Sequence, residues 1–333
     1  MAPPCGAAPA AAGDVVSFRC SACGKCCNTP PAMTLPELLH HERRFVGCLA
    51  LRRVPRRRPG EALAAGDAVH PLSASDVEHA DRLAVELLFE FEPQRPAGAG
   101  RMRFALAAQG LDYPSLGACP ARLVDGRCAV HDDRKPAACR AVPLDPLLPD
   151  RLQRVVLLHR NAEAGYLGAD CIAPGRRDGH ALLTEGGAVV DAVYRGHLAQ
   201  QRLALAAEKA LWGDDVFALL APELCADEAR ARRVPVDGWL SLSLVPVLAL
   251  LAARSERCRT RCLRYAASQI ALVDDKVEQA LRRKREQDRP VTRELRGFRQ
   301  AYARFAEAAG RGGDGPRACG PAVVARTEAH LEA

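Results

Sequence analysis

The stretch FRCSACGKCCNTP, Phe18 to Pro30, sets Cys20, Cys23, Cys26 and Cys27 in a C-x2-C-x2-C-C run. Two-residue spacings let successive thiolates fold back on one metal centre, and Gly24 supplies the backbone freedom that the tight turn needs. Three cysteines so spaced match the first three ligands of the bacterial ferredoxin run. The Cys-Pro that closes such a run lies far downstream here, at Cys119-Pro120. It opens a second stretch, CPARLVDGRCAVHDDRKPAACRAVP (119–143), which carries Cys119, Cys128 and Cys139, and Cys171 follows after a gap. Eight thiols thus fall in two groups of four along the chain, enough for two four-cysteine sites or for one site with spare structural cysteines. Cys26 and Cys27 are adjacent, and neighbouring side chains diverge on most backbones, so the two do not easily face one centre.

Iron–sulfur and zinc both suit thiolate ligands. Structural zinc sites combine two C-x2-C knuckles, whereas C-x2-C-x2-C puts three ligands on one loop, a geometry commoner for a cluster such as [4Fe–4S]. Purely structural or redox thiols are a third reading. Working outward, the chain has 333 residues and 14 cysteines. That length exceeds what one core comfortably fills, so two parts are expected. The cysteines are too few for a disulfide scaffold in so long a chain, and the first fourteen residues read as a tail without the basic and apolar regions of a signal peptide, so a reducing cytoplasm is expected. Hydrophobic residues make up 48% and charged residues 26%, which excludes fibrous and disordered classes. The net charge of +7 is carried almost wholly by arginine, a coding bias that makes a weak case for nucleic acid, as does the shortage of aromatic residues for base stacking. The longest apolar run, Trp239 to Ala253, is 15 residues and contains Pro246, short of a membrane span, so no membrane partner is expected.

The cysteine pattern resembles the YkgJ-type cysteine-cluster family, a zinc- or iron-chelating domain. The likeness covers about residues 17–175 and rests on Cys20, Cys23, Gly24, Cys26 and Cys27, then Cys119, Pro120, Cys128, His131, Arg134, Pro136, Cys139, Arg140 and Pro143, with Cys171 as last member. Arg134-Lys135-Pro136 departs from the family's Arg-Pro by one inserted residue. The resemblance implies metal chelation through the eight cysteines. A related branch is similar to flagellin lysine N-methylases, which implies an alternative: an enzyme methylating protein lysines from S-adenosylmethionine, with a protein as substrate. The chain offers that alternative little support, since it has neither a strand-borne glycine fingerprint nor the radical-enzyme spacing C-x3-C-x2-C.

The expected organisation is a disordered tail 1–14, a cysteine-cluster metal-binding domain 15–179, an α-helical domain 180–310 and a flexible tail 311–333, mostly α with minor β. Thr34-Leu35-Pro36-Glu37 is a capping box opening a helix through Leu38, Leu39, Phe45, Val46 and Leu49. Arg52, Arg53, Arg56, Arg57 and Arg58 read as a solvated linker. Ser75 caps a helix reaching about Phe91, and Arg101–Leu106 and Leu152–Leu158 read as strands. Helical periodicity covers Ala188–Trp212, Asp215–Arg233, Trp239–Arg285 with a break at Pro246, and Thr292–Ala309.

Around the thiols, Arg134 and Arg140 are candidates to hydrogen-bond cluster sulfurs or neutralise a four-thiolate site, and His131 is a candidate ligand or structural histidine. His40 and His41, being adjacent, should face different directions, which argues against a ligand role. Cys258 and Cys262, at i, i+4, read as partly buried thiols on one helix face. Cys5, Cys48, Cys225 and Cys319 default to tail or core.

Overall fold

The computed structural model describes residues 15–65, 68–92, 101–162, 168, 170–311 and 320–332. The expected tail 1–14, Cys5 and Cys319 lie outside the described residues. The first elements are β1 (Val15–Phe18), α1 (Leu35–His40), β2 (Val46–Val54), β3 (Ala62–Ala65), β4 (Ala68–Pro71), α2 (Ala74–Leu87), β5 (Phe89–Phe91), β6 (Met102–Leu111) and α3 (Ala137–Ala141). Then come α4 (Gln153–Ala162), β7 (Ile172–Pro174), β8 (Ala181–Glu185), β9 (Ala188–Val189), α5 (Ala192–Glu208), α6 (Asp214–Leu224) and α7 (Glu228–Arg233). The last are β10 (Leu240–Ser243), α8 (Val245–Ala252), α9 (Glu256–Arg283), α10 (Arg289–Gly310) and α11 (Pro321–Glu332). About 52% of the described residues are helical and 17% lie in strands, so the fold is mostly α with some β. Among the described residues, no helix is long and apolar enough to cross a membrane.

Two compact units divide the chain. One holds the residues up to Cys26, Arg57–Ala84 and Arg140–Arg202; the other holds Cys27–Arg56, Val85–Cys139 and the residues from Leu203 onward. A single boundary near residue 179 does not describe this division, because strand pairing recruits segments far apart in sequence. In the first unit β1 lies between β7 and β8, and β9 completes an antiparallel sheet of order β7-β1-β8-β9. All four β1 residues are buried, as a central strand of small area requires. Val16, Phe18, Leu157 and Leu183 fill its core beside Cys171. Leu152–Leu158 belongs to a 3-10 turn and α4 rather than to a strand; Leu152, Val155 and Leu158 recur at three-residue spacing, and a short apolar run cannot by itself distinguish the two.

The second unit is built on β2, which pairs with β10 on one side and β6 on the other in a sheet of order β10-β2-β6-β5. Its register with β6 runs without interruption from Val46 opposite Leu111 to Val54 opposite Arg103. Val46 and Leu49, expected to continue α1, therefore lie in a strand, and Arg52 and Arg53 lie at its end rather than in a linker. The capping box forms as expected: Glu37 N donates to Thr34 Oγ1 at 3.3 Å and Thr34 N to Glu37 Oε2 at 2.8 Å. Helix α1 nevertheless stops at His40. Helices α9 and α10 pack against the sheet, with Tyr302 Oη donating to Gly47 O at 2.9 Å and Gly47 N to Gln269 Oε1 at 2.8 Å. A glycine is required at residue 47, since a β-carbon there would collide with the buried Tyr265 hydroxyl.

Several boundaries shift for local reasons. Ser73, not Ser75, caps α2, exchanging bonds with Asp76 (Asp76 N to Ser73 Oγ 3.1 Å, Ser73 N to Asp76 Oδ2 2.8 Å). Pro246 sits in the first turn of α8, where its missing N–H costs nothing, so it starts a helix instead of kinking one. The expected long helix before it contains β10, drawn into the sheet by pairing with β2. The stretch from Ala188 begins with β9, and α5 starts after Asp191, whose carboxylate accepts from Val193 N and Tyr194 N. The expected flexible tail carries α11, anchored by the fully buried Thr327, which accepts from Arg254 Nη1 at 2.9 Å.

Candidate metal centres

Cys20, Cys23 and Cys26 lie on the loop after β1. Arg19 N donates to Cys171 O at 2.9 Å, which ties the start of that loop to the residue preceding β7. Two left-handed residues turn the loop, Gly24 (φ 77°) as the sequence requires and Ala22 (φ 55°), which a side chain disfavours. The Cys171 thiol is buried and shares a hydrogen bond with Cys23. Burial, then the charge of Cys23 and of Cys20, pushes it up to about 11. The Tyr194 hydroxyl is pushed up to about 12 by its burial and by Cys20, Asp191, Cys26 and Cys171. Cys20, Cys23, Cys26 and Cys171 thus share one neighbourhood of the first unit. Tyr194 belongs to it as well, and nothing in the spacing of the sequence marked that residue.

Cys27, Cys119, Cys128 and Cys139 share a neighbourhood of the second unit. Cys119 N donates to Cys27 O at 2.8 Å. From Cys119 the chain forms a tight knuckle: Arg122 N donates to Cys119 O (2.9 Å), Leu123 N to Arg127 O (2.8 Å) and Ala129 N to Ala121 O (2.7 Å), with Gly126 at φ 84°. This brings Cys119 and Cys128 together, half-buried against the core. Cys139 is carried by α3. Burial pushes the Cys119 thiol up to about 11 against a hydrogen bond from Ala121, and Cys27 and Cys128 push the same way. Cys139 is raised further, by burial and then by Cys119, Cys27 and Cys128.

The grouping in space therefore differs from the grouping in sequence: Cys171 joins the first loop, and Cys27 joins the second stretch. Neighbouring side chains diverge, and Cys26 and Cys27 fall in different units. No disulfide links the described cysteines. Against burial and the three neighbouring thiols, the Lys135 ammonium pulls the Cys139 thiol the other way. Arg140 is exposed in the last turn of α3. Arg134 takes a left-handed conformation (φ 44°), and its carbonyl accepts from His41 Nε2 at 3.2 Å. His131 is exposed and stands 3.5 Å from Lys135 Nζ.

Three other expectations meet the structure here. His40 and His41 do not face apart: their rings meet edge to face at 4.6 Å, because His41 is the C-cap of α1 and leaves helical geometry. Cys258 and Cys262 are fully buried on α9, and burial first, then Cys258, pushes Cys262 up to about 12. Cys48 and Cys225 are core residues. Among the described residues, the three ligand-type side chains whose donor atoms lie within 4.8 Å of one another are His40, His41 and Asp133, so neither set of thiols is drawn in that tightly. No protein family, curated protein or solved structure matches this chain.

Proposed function

We propose that this protein binds metal through two four-cysteine centres, Cys20, Cys23, Cys26 and Cys171 in one unit and Cys27, Cys119, Cys128 and Cys139 in the other, and that each holds an iron–sulfur cluster. The observation that carries this reading is the sorting of eight thiols into two complete sets of four, with the adjacent Cys26 and Cys27 allotted to different sets. Thiols gathered this way raise one another's pKa, and a cation reverses that penalty, because the thiolate is the form that binds metal. A tightly knit core has no need of such clustering.

The loop spacing favours iron–sulfur over zinc, since C-x2-C-x2-C puts three ligands on one loop. The Ala121 N–H donated to Cys119 and the Lys135 charge acting on Cys139 are contacts of the kind that set a cluster's potential. When bound, such a group would supply one-electron transfer, and the reading carries a reducing compartment with it. The YkgJ-type resemblance supports chelation of zinc or iron without choosing between them. The test is the iron, zinc and sulfide content of anaerobically purified protein and of its serine variants. Both metals absent from the parent would remove the proposal.

A further inference from the structure

We propose that His40, His41 and Asp133 form a separate site for one divalent first-row transition-metal ion, bound by two imidazoles and a carboxylate and open to solvent on its remaining positions. All three residues lie in the second unit, and the inference does not depend on the thiol centres. A ring nitrogen of each histidine and a carboxylate oxygen of Asp133 lie within 4.8 Å of one another, and His40 Nε2 stands 2.8 Å from Asp133 Oδ1.

The loop carrying Asp133 is fixed over the C-terminal end of α1 by two bonds. Ala137 N donates to Glu37 Oε1 at 2.7 Å, so the glutamate that closes the capping box also holds this loop. His41 Nε2 donates to the Arg134 carbonyl at 3.2 Å, an arrangement that needs the left-handed turn at Arg134. A ring nitrogen that donates to a backbone carbonyl leaves the other, Nδ1, with the lone pair, which is how metal-binding histidines are commonly oriented. His41 is buried, so its ring is held in place by its surroundings as well as by the Arg134 bond.

A simple His40–Asp133 ion pair would account for two of these side chains but not for the nearness of the His41 ring to both. His41 is drawn to the same point by a bond that makes no use of Asp133. Two imidazoles and one carboxylate suit zinc, cobalt, nickel or ferrous iron better than magnesium or calcium, which prefer all-oxygen shells. Asp133 is largely exposed and His40 partly so, which leaves room for water ligands and for the small adjustment a metal bond requires. Arg44 and Arg134 both act on this group and oppose a cation, so the site should be weaker than a buried three-ligand site.

The test titrates Co²⁺ into the anaerobically purified full chain, with thiol-bound metal and sulfide counted in the same samples. One equivalent of cobalt should bind with visible d–d bands and without a sulfur-to-cobalt charge-transfer band. His40→Ala and Asp133→Asn, both at exposed side chains, should each weaken binding about tenfold or more and leave the thiol-bound metal and sulfide unchanged. No bound cobalt, binding unchanged in both variants, or a charge-transfer band accounting for all the cobalt would each overturn the site. Because the thiol-bound metal is counted separately, failure here and failure of the thiolate centres give different results.

Discussion

Cys26→Ser and Cys27→Ser change neighbouring residues and should damage different parts of the molecule. Serine keeps the size of the side chain and removes the thiolate. If losing one ligand releases its centre, the cross-link between distant segments is lost with it. For Cys26 that link spans about 145 residues to Cys171, and for Cys27 about 90 residues to Cys119. Loop-closure entropy values either link at about 5 kcal/mol, and the difference in length changes this by only about 0.4 kcal/mol. Amides that exchange by opening of the affected unit should therefore lose up to about three to four orders of magnitude of protection. Hydrogen exchange read by mass spectrometry, with metal and sulfide measured per chain, separates the two. Cys26→Ser should halve the metal and deprotect β1, β7 and β8 while β2 and β6 stay protected. Cys27→Ser should halve the metal with the opposite pattern in β2 and β6. Deprotection of the same segments in both variants, or full loss of metal in either, would refute the division of thiols between units.

Cys225→Ser should keep the parent's full metal content, since Cys225 is wholly buried in the core and belongs to neither set; elemental analysis checks this. Gly47→Ala should destabilise by about 1–3 kcal/mol, because the added carbon meets the buried Tyr265 hydroxyl; urea unfolding measures it. Glu90 is held below the usual carboxylate range by its hydrogen bond from Arg103 and by Arg56, against the effect of burial. A depressed folded pKa adds stability above about pH 4.3, the unfolded value, which is lost as pH falls through the folded value. Glu90→Gln should therefore be less stable than the parent at pH 7, with the gap closing below pH 4, and a gap that is constant with pH would contradict the Arg103 contact.

Local signals in the sequence survived into the structure, and those that depend on distant partners did not. The Thr34–Glu37 capping box, the Gly24 turn and the long amphipathic run ending in α9 and α10 are each specified by a few neighbouring residues, and each is present. The apolar spacing of Val46 and Leu49 fits a helix as well as a strand, and only pairing with β6 and β10 decides the matter. The same limit governed the thiols. All eight candidate residues fall in the two neighbourhoods, but their division follows from β1 pairing with β7 near Cys171, a contact across more than half the unit's sequence span. The divergence of Cys26 from Cys27 was legible from backbone geometry alone. The meeting of His40 with His41 was not, since it depends on α1 ending after six residues.

The measurement that bears most directly on the two thiolate centres is a count of iron, zinc and acid-labile sulfide per chain in anaerobically purified full-length protein, with its visible spectrum. Two four-iron clusters predict about eight iron and eight sulfide per chain and a brown solution with broad thiolate-to-iron absorption. Colourless protein with two zinc and no sulfide would contradict the clusters. Metal-free protein whose eight clustered thiols all react with an alkylating reagent in the folded state would contradict metal binding itself.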